Sequence, residues 1–132
     1  MGNLASVLKA VKSLKKEAVI TSDKKEIQDA SLIILPGVGS FEQGMKNLKE
    51  RGLIELLNEE VVDKKKPFLG ICLGMQLIME QGTEPKSCDG LGWIKGKVEA
   101  IQNSHHPVPH LGWNKVYQLE EKNKEDTLSN NF

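Results

Sequence analysis

The chain has 132 residues, with 18 acidic and 18 basic side chains and therefore no formal net charge. That length builds one core, and the balanced charge, with lysines spread rather than clustered among aromatics, argues against nucleic acid or a membrane surface as partner. The apolar runs are too short for a membrane span or a signal peptide, so the chain reads as cytoplasmic and soluble. Two cysteines in unlike contexts, without a CxxC or a His/Cys cluster, suggest neither a disulfide framework nor a metal site.

Leu4, Val7, Leu8, Val11 and Leu14 recur at helical spacing, which predicts an amphipathic helix with Asn3 as its cap. Ala18-Val19-Ile20-Thr21 reads as a short buried strand, and Asp23 to Asp29 as a brief helix. Leu32 to Leu35 is a second buried strand, ending at Pro36-Gly37. Phe41 to Glu50 and Leu53 to Asp63 read as helices broken at Gly52. Lys64-Lys65-Lys66 is expected to solvate a helix end, where cations suit the dipole. Pro67 to Ile71 is the third strand, and Met75 to Glu80 the helix that follows it. Uninterrupted apolar strands alternating with helices predict an α/β fold, a doubly wound and mostly parallel sheet with helices on both faces.

After Gly82 the character changes. A glycine-rich stretch, Gly90 to Lys97, leads into expected strands at Val98 to Ile101 and Trp113 to Leu119, suited to an added antiparallel layer. Glu120 to Asn131 is polar and turn-like. One domain, residues 1–132, is expected, and it reads as incomplete. It begins in a helix cap where such a sheet normally opens with a strand, and it stops just after a polar turn.

The chemistry concentrates in Gly70-Ile71-Cys72-Leu73-Gly74-Met75, a cysteine between glycines where a strand passes into a helix. This is the sequence form of a nucleophile elbow, whose sharp turn holds the nucleophile in strained backbone geometry. A helix N-terminus beside the sulfur favours thiolate. Cys88 has no such surroundings and reads as a small buried hydrophobe or a loop thiol. Pro36-Gly37-Val38-Gly39-Ser40-Phe41 lies at the carboxyl end of the preceding strand, the edge where open sheets build sites. Its N–H groups, with that of Leu73, can face a developing oxyanion. A plain turn remains the alternative, and a phosphate loop is the weaker one, with no Walker lysine or third glycine. Gln76, one turn beyond Cys72, can hydrogen-bond an amino-acid head group or simply face solvent.

Together these segments resemble the class I, triad-type glutamine amidotransferases. The subfamily they approach most is the glutaminase subunits of imidazole glycerol phosphate synthases. The residues that carry the resemblance are Met1 to Val7, Leu35 to Phe41, Gly70 to Leu77 and Pro109-His110-Leu111-Gly112-Trp113-Asn114. The resemblance implies a flavodoxin-like amidotransferase fold and no cofactor. It implies that Cys72 attacks the glutamine side-chain amide, that Val38, Gly39 and Leu73 form the oxyanion site, and that Gly37, Gly39 and Gln76 hold glutamine. Pro109, His110, Gly112, Trp113 and Asn114 would face a (β/α)8-barrel cyclase that receives the ammonia. The family's triad histidine and glutamate would lie C-terminal to the residues here. His105, His106 and His110 precede that place, and His105 and His106 read as solvent- or partner-facing. The 132-residue polypeptide alone is therefore expected to turn over little glutamine. A non-catalytic docking or regulatory subunit, and ammonia supply to surface-sugar biosynthesis, stay open. Trp93 carries no assigned role.

Overall fold

The computed structural model describes residues 4–83, 86–101 and 112–115. The chain divides into two compact units, Met1–Ala100 and Ile101–Phe132. The first holds every described helix and strand. In the second, Gly112, Trp113 and Asn114 are exposed and outside any regular element. The rest of the expected strand over 113–119, the polar segment after it and the Asn3 cap lie outside the described residues.

Helix α1 (Leu4–Ser13) matches its predicted spacing, but none of its residues is fully buried. Helix α2 (Lys24–Asp29) starts where the Asp23 side chain accepts from Glu26 N–H at 3.0 Å. Between them, Ala18–Thr21 forms no strand. A strand exists by pairing, and this segment instead lines an open, largely apolar cleft of about 1580 Å³ beside Val7, Leu32 and Ile34.

Strand β1 (Ile33–Gly37) pairs in parallel with β2 (Phe68–Cys72), and the register sets Gly37 opposite Cys72. Helix α3 (Phe41–Glu50) crosses between them, capped by Ser40, whose hydroxyl accepts from Gln43 N–H at 3.3 Å. Phe41, Met45 and Leu48 recur on its buried face and meet Leu53, Leu56, Leu57, Leu73 and Leu77 in the core. Each such side chain contributes about 1.5–3 kcal/mol through removal of apolar area from water. Gly52, at φ +60°, makes the break before α4 (Ile54–Leu57).

The expected helix over 53–63 changes character at Asn58. It continues to Asp63 as a wider, π-type turn. Glu60 on that turn is 1% exposed and accepts from Lys64 at 2.7 Å and Lys66 at 2.6 Å. Lys66 also donates to the carbonyls of Ile27 and Gln28 at the end of α2. The lysine run does end the helix, with Lys64 and Lys65 exposed as expected, but Lys64 and Lys66 also neutralise a buried carboxylate, and Lys66 bridges two helices.

The predicted helix over 75–80 is instead a single turn, α5 (Leu73–Gln76), followed by β3 (Met79–Gly82). Strand β3 pairs antiparallel with β4 (Cys88–Asp89) and parallel with β5 (Ile94–Val98). The second layer holds the expected antiparallel pairing, in β3 with β4, and adds a parallel one, and β5 starts four residues before the expected 98–101. Pairing across the layer outweighs the weak helical pattern of Met75 to Glu80. Trp93 finds its place here: its indole N–H donates to Asn58 Oδ1 at 2.7 Å, and its ring meets Phe68 edge-on at 4.9 Å.

Candidate functional site

Cys72 ends β2 with φ +54° and ψ −119°, a conformation that L-residues rarely hold. Its cost, on the order of 1–3 kcal/mol, is sustained only where the surroundings over-determine it. Those surroundings are glycines. A methyl on Gly70 would lie 2.6 Å from Met75 Cα and 2.7 Å from Met75 N, and one on Gly74 would overlap the Leu35 carbonyl. The first turn of α5 therefore folds back directly against β2 and β1, and Cys72 is left exposed at the bend.

The parallel register brings Gly37 to the same level as Cys72. Beyond it, Val38 is exposed, and Gly39 takes φ +103° with open space around its Cα. Leu73 opens α5 with its side chain buried, and its N–H, in the first turn, has no intrahelical acceptor. Gln76 closes α5, half-buried. The loop, the thiol and the first turn of α5 thus gather at one sheet edge, as the sequence predicted. In chemical terms, an exposed, strained sulfur with a first-turn N–H beside it is an arrangement that can attack a carbonyl carbon and offer a backbone amide to the oxygen.

Cys88 behaves differently. Burial first, then the charges of Glu42 and Asp89, push its thiol up and keep it protonated. Among the described residues no group of three or more His, Cys, Asp and Glu could hold a metal ion, and no helix is long and apolar enough to cross a membrane. Pro109 and His110, like His105 and His106, lie outside the described residues, while Trp113 is fully exposed. Sequence reasoning passed over Gly44 in α3, where an added methyl would meet Leu73 and Leu77, because its only signal was a glycine inside a helical pattern. It also left Gly74 without its backbone partner, since no pattern in the sequence points to Leu35.

The family model for class-I glutamine amidotransferases matches residues 3–132. Imidazole glycerol phosphate synthase subunit HisH 1 of Campylobacter jejuni is 48% identical over 121 residues, covering 91% of this chain and 60% of the relative. The subunit HisH of Bacillus cereus is 48% identical over 116 residues, 88% of this chain and 54% of that protein. Subunit HisH 2 of Vibrio vulnificus is 45% identical over 130 residues, 97% of this chain and 61% of the relative. The chain thus spans between 54% and 61% of the length of these three relatives.

Proposed function

Because the chain belongs to the class-I glutamine amidotransferase family, we propose that it is the glutaminase part of an imidazole glycerol phosphate synthase. In this reading it supplies ammonia to a partner subunit in cytoplasmic histidine biosynthesis. The observation that carries the reading is Cys72 at φ +54°, in register with Gly37 and beside the open Gly39 loop.

Cys72 Sγ attacks the carboxamide carbon of glutamine, forming a C–S bond and moving the carbonyl electron pair onto oxygen. The N–H groups of Leu73 and of the Val38–Gly39 segment receive that oxyanion once the loop peptide faces it. The C–N bond then breaks, the nitrogen takes a proton and leaves as ammonia, and water hydrolyses the γ-glutamyl thioester to glutamate. Gly37, Gly39 and Gln76 border the substrate's place. The described residues include no histidine, so the proton-transferring base of this chemistry is not among them. Pro109, His110, Gly112, Trp113 and Asn114 make the docking segment for a (β/α)8-barrel partner, and a fully exposed tryptophan suits an interface anchor. Residues 1–132 are read as belonging to a single glutamine amidotransferase domain.

Incubation with glutamine, with and without the partner synthase subunit, tests this. Mass spectrometry is expected to find a glutamyl adduct on the Cys72 peptide that Cys72→Ala lacks. Neither adduct nor ammonia in the presence of partner would overturn it.

A further inference from the structure

We propose that Gly44, acting through Leu73 and Leu77, is a positioning residue that sets the spacing between the Pro36–Ser40 loop and the Cys72 thiol. The inference rests on the glutaminase reading, because the spacing matters only if the loop serves a reaction at Cys72.

Gly44 lies inside α3 with helical backbone, so it makes no turn that needs a glycine. There it costs roughly 0.5–1 kcal/mol relative to alanine. Its use is steric: a methyl at Gly44 would lie 3.0 and 3.1 Å from the two Leu77 δ carbons and 3.2 Å from Leu73 Cδ2. Leu73 also reaches the other end of the loop, since a methyl at Gly37 would lie 3.0 Å from Leu73 Cβ and 3.3 Å from its Cδ2. One buried side chain, belonging to the residue after the nucleophile, therefore abuts both the start of the loop and the first turn of the helix that ends it. Gly37 and Cys72 leave the sheet at the same level. Their chains diverge into α3 and α5 and meet again at Gly44. The Ser40 cap ties the loop to α3, so the loop moves when that helix moves.

A methyl at Gly44 requires a few tenths of an ångström of give, and because Leu73 and Leu77 are both held in the core, we place that give in α3. Oxyanion donors are sensitive to such displacement, as a misplacement of about 1 Å costs on the order of 100-fold in rate. The thiol itself keeps its elbow.

Two electrophiles separate these effects in the full chain. Iodoacetamide reads the thiol alone. A chloromethyl ketone analogue of glutamine also reads the loop: the sulfur displaces chloride from the methylene while the ketone oxygen lies at the oxyanion site. For Gly44→Ala, iodoacetamide alkylation is expected within about twofold of the unaltered chain and the ketone reaction about tenfold slower. Adding Leu77→Val is expected to restore most of the ketone rate. Leu73→Met, which keeps core volume but withdraws the branch facing both glycines, is the second variant and is expected to show the same selective slowing. Equal ketone rates in Gly44→Ala and the unaltered chain would overturn the proposal. So would a parallel fall with both reagents that Leu77→Val leaves in place. If the unaltered chain reacts no faster with the glutamine analogue than with a chloromethyl ketone lacking the amino-acid head group, the glutaminase reading itself fails.

Discussion

Three glycines near Cys72 do different work, and their substitutions separate backbone strain from steric overlap. Gly39 takes φ +103° with nothing within 4 Å of an added methyl. Gly39→Ala is therefore expected to cost about 1–2 kcal/mol in urea unfolding, all of it conformational. Gly74→Ala meets the Leu35 carbonyl, part of the β1 backbone, which cannot move aside alone. It is expected to cost about 3 kcal/mol or more and to slow iodoacetamide labelling of Cys72 by distorting the elbow. An equal, small loss at both positions in urea unfolding would contradict this division. Gly70 joins Gly74 in the elbow, against Met75. The pair Gly70 and Gly74 was legible because elbow geometry is encoded two residues either side of the nucleophile. Trp93 was not legible, because its acceptor, Asn58, is 35 residues away. Trp93→Phe leaves that acceptor unpaired in a half-buried site and is expected to cost about 1 kcal/mol in the same measurement.

At the scale of elements, the π-type turn after α4 carries the titratable device of the fold. Hydrogen bonds from Lys64 and then Lys66 hold the Glu60 carboxyl below its ordinary 4.5, against the opposing effect of burial. Bonds to Glu59 and Glu60 likewise raise the Lys64 ammonium above its ordinary range. A depressed carboxylate contributes stability that is fully present above its unfolded value and is lost as pH falls through its folded value. Stability is therefore expected to decline below about pH 4.5. In Glu60→Gln that decline is expected to be shallower and stability at neutral pH lower, as followed by urea midpoints against pH. An unchanged acid slope in Glu60→Gln would assign the decline to other carboxylates. The raised lysine keeps its contribution until pH climbs past its unfolded value, so the network is complete at neutral pH. The sequence placed the lysine run at a helix end, but nothing local reveals that Glu60 is buried beside it. The helix over 41–50 was read correctly, since its apolar spacing and the break at Gly52 are local. The one over 75–80 was misread because the pairing of β3 with β5 is not.

For the whole molecule, the apolar cleft along β1 is a large open surface feature of the described residues. Val19, Ile20, Leu32 and Val38 line it and remain exposed, and Ala18–Thr21 finds no paired neighbour on its edge. Apolar area of this extent beside a segment that pairs with nothing favours association. The 132-residue chain alone is expected to self-associate as concentration rises, with light scattering showing a mass above 14.7 kDa. A monomer with a sharp thermal transition across the same range would contradict it. The sequence by itself determined the helix over 41–50, the two strands that meet in β1 and β2, the glycine loop and the cysteine elbow, because each is written in residues a few positions apart. Only the tertiary structure decided that Glu60 is buried between lysines, that Trp93 joins two layers, that Ala18–Thr21 is not a strand, and that Gly44 faces Leu73. Each of those depends on which distant segment packs alongside, and burial, pairing and close approach are properties of neighbours rather than of local sequence.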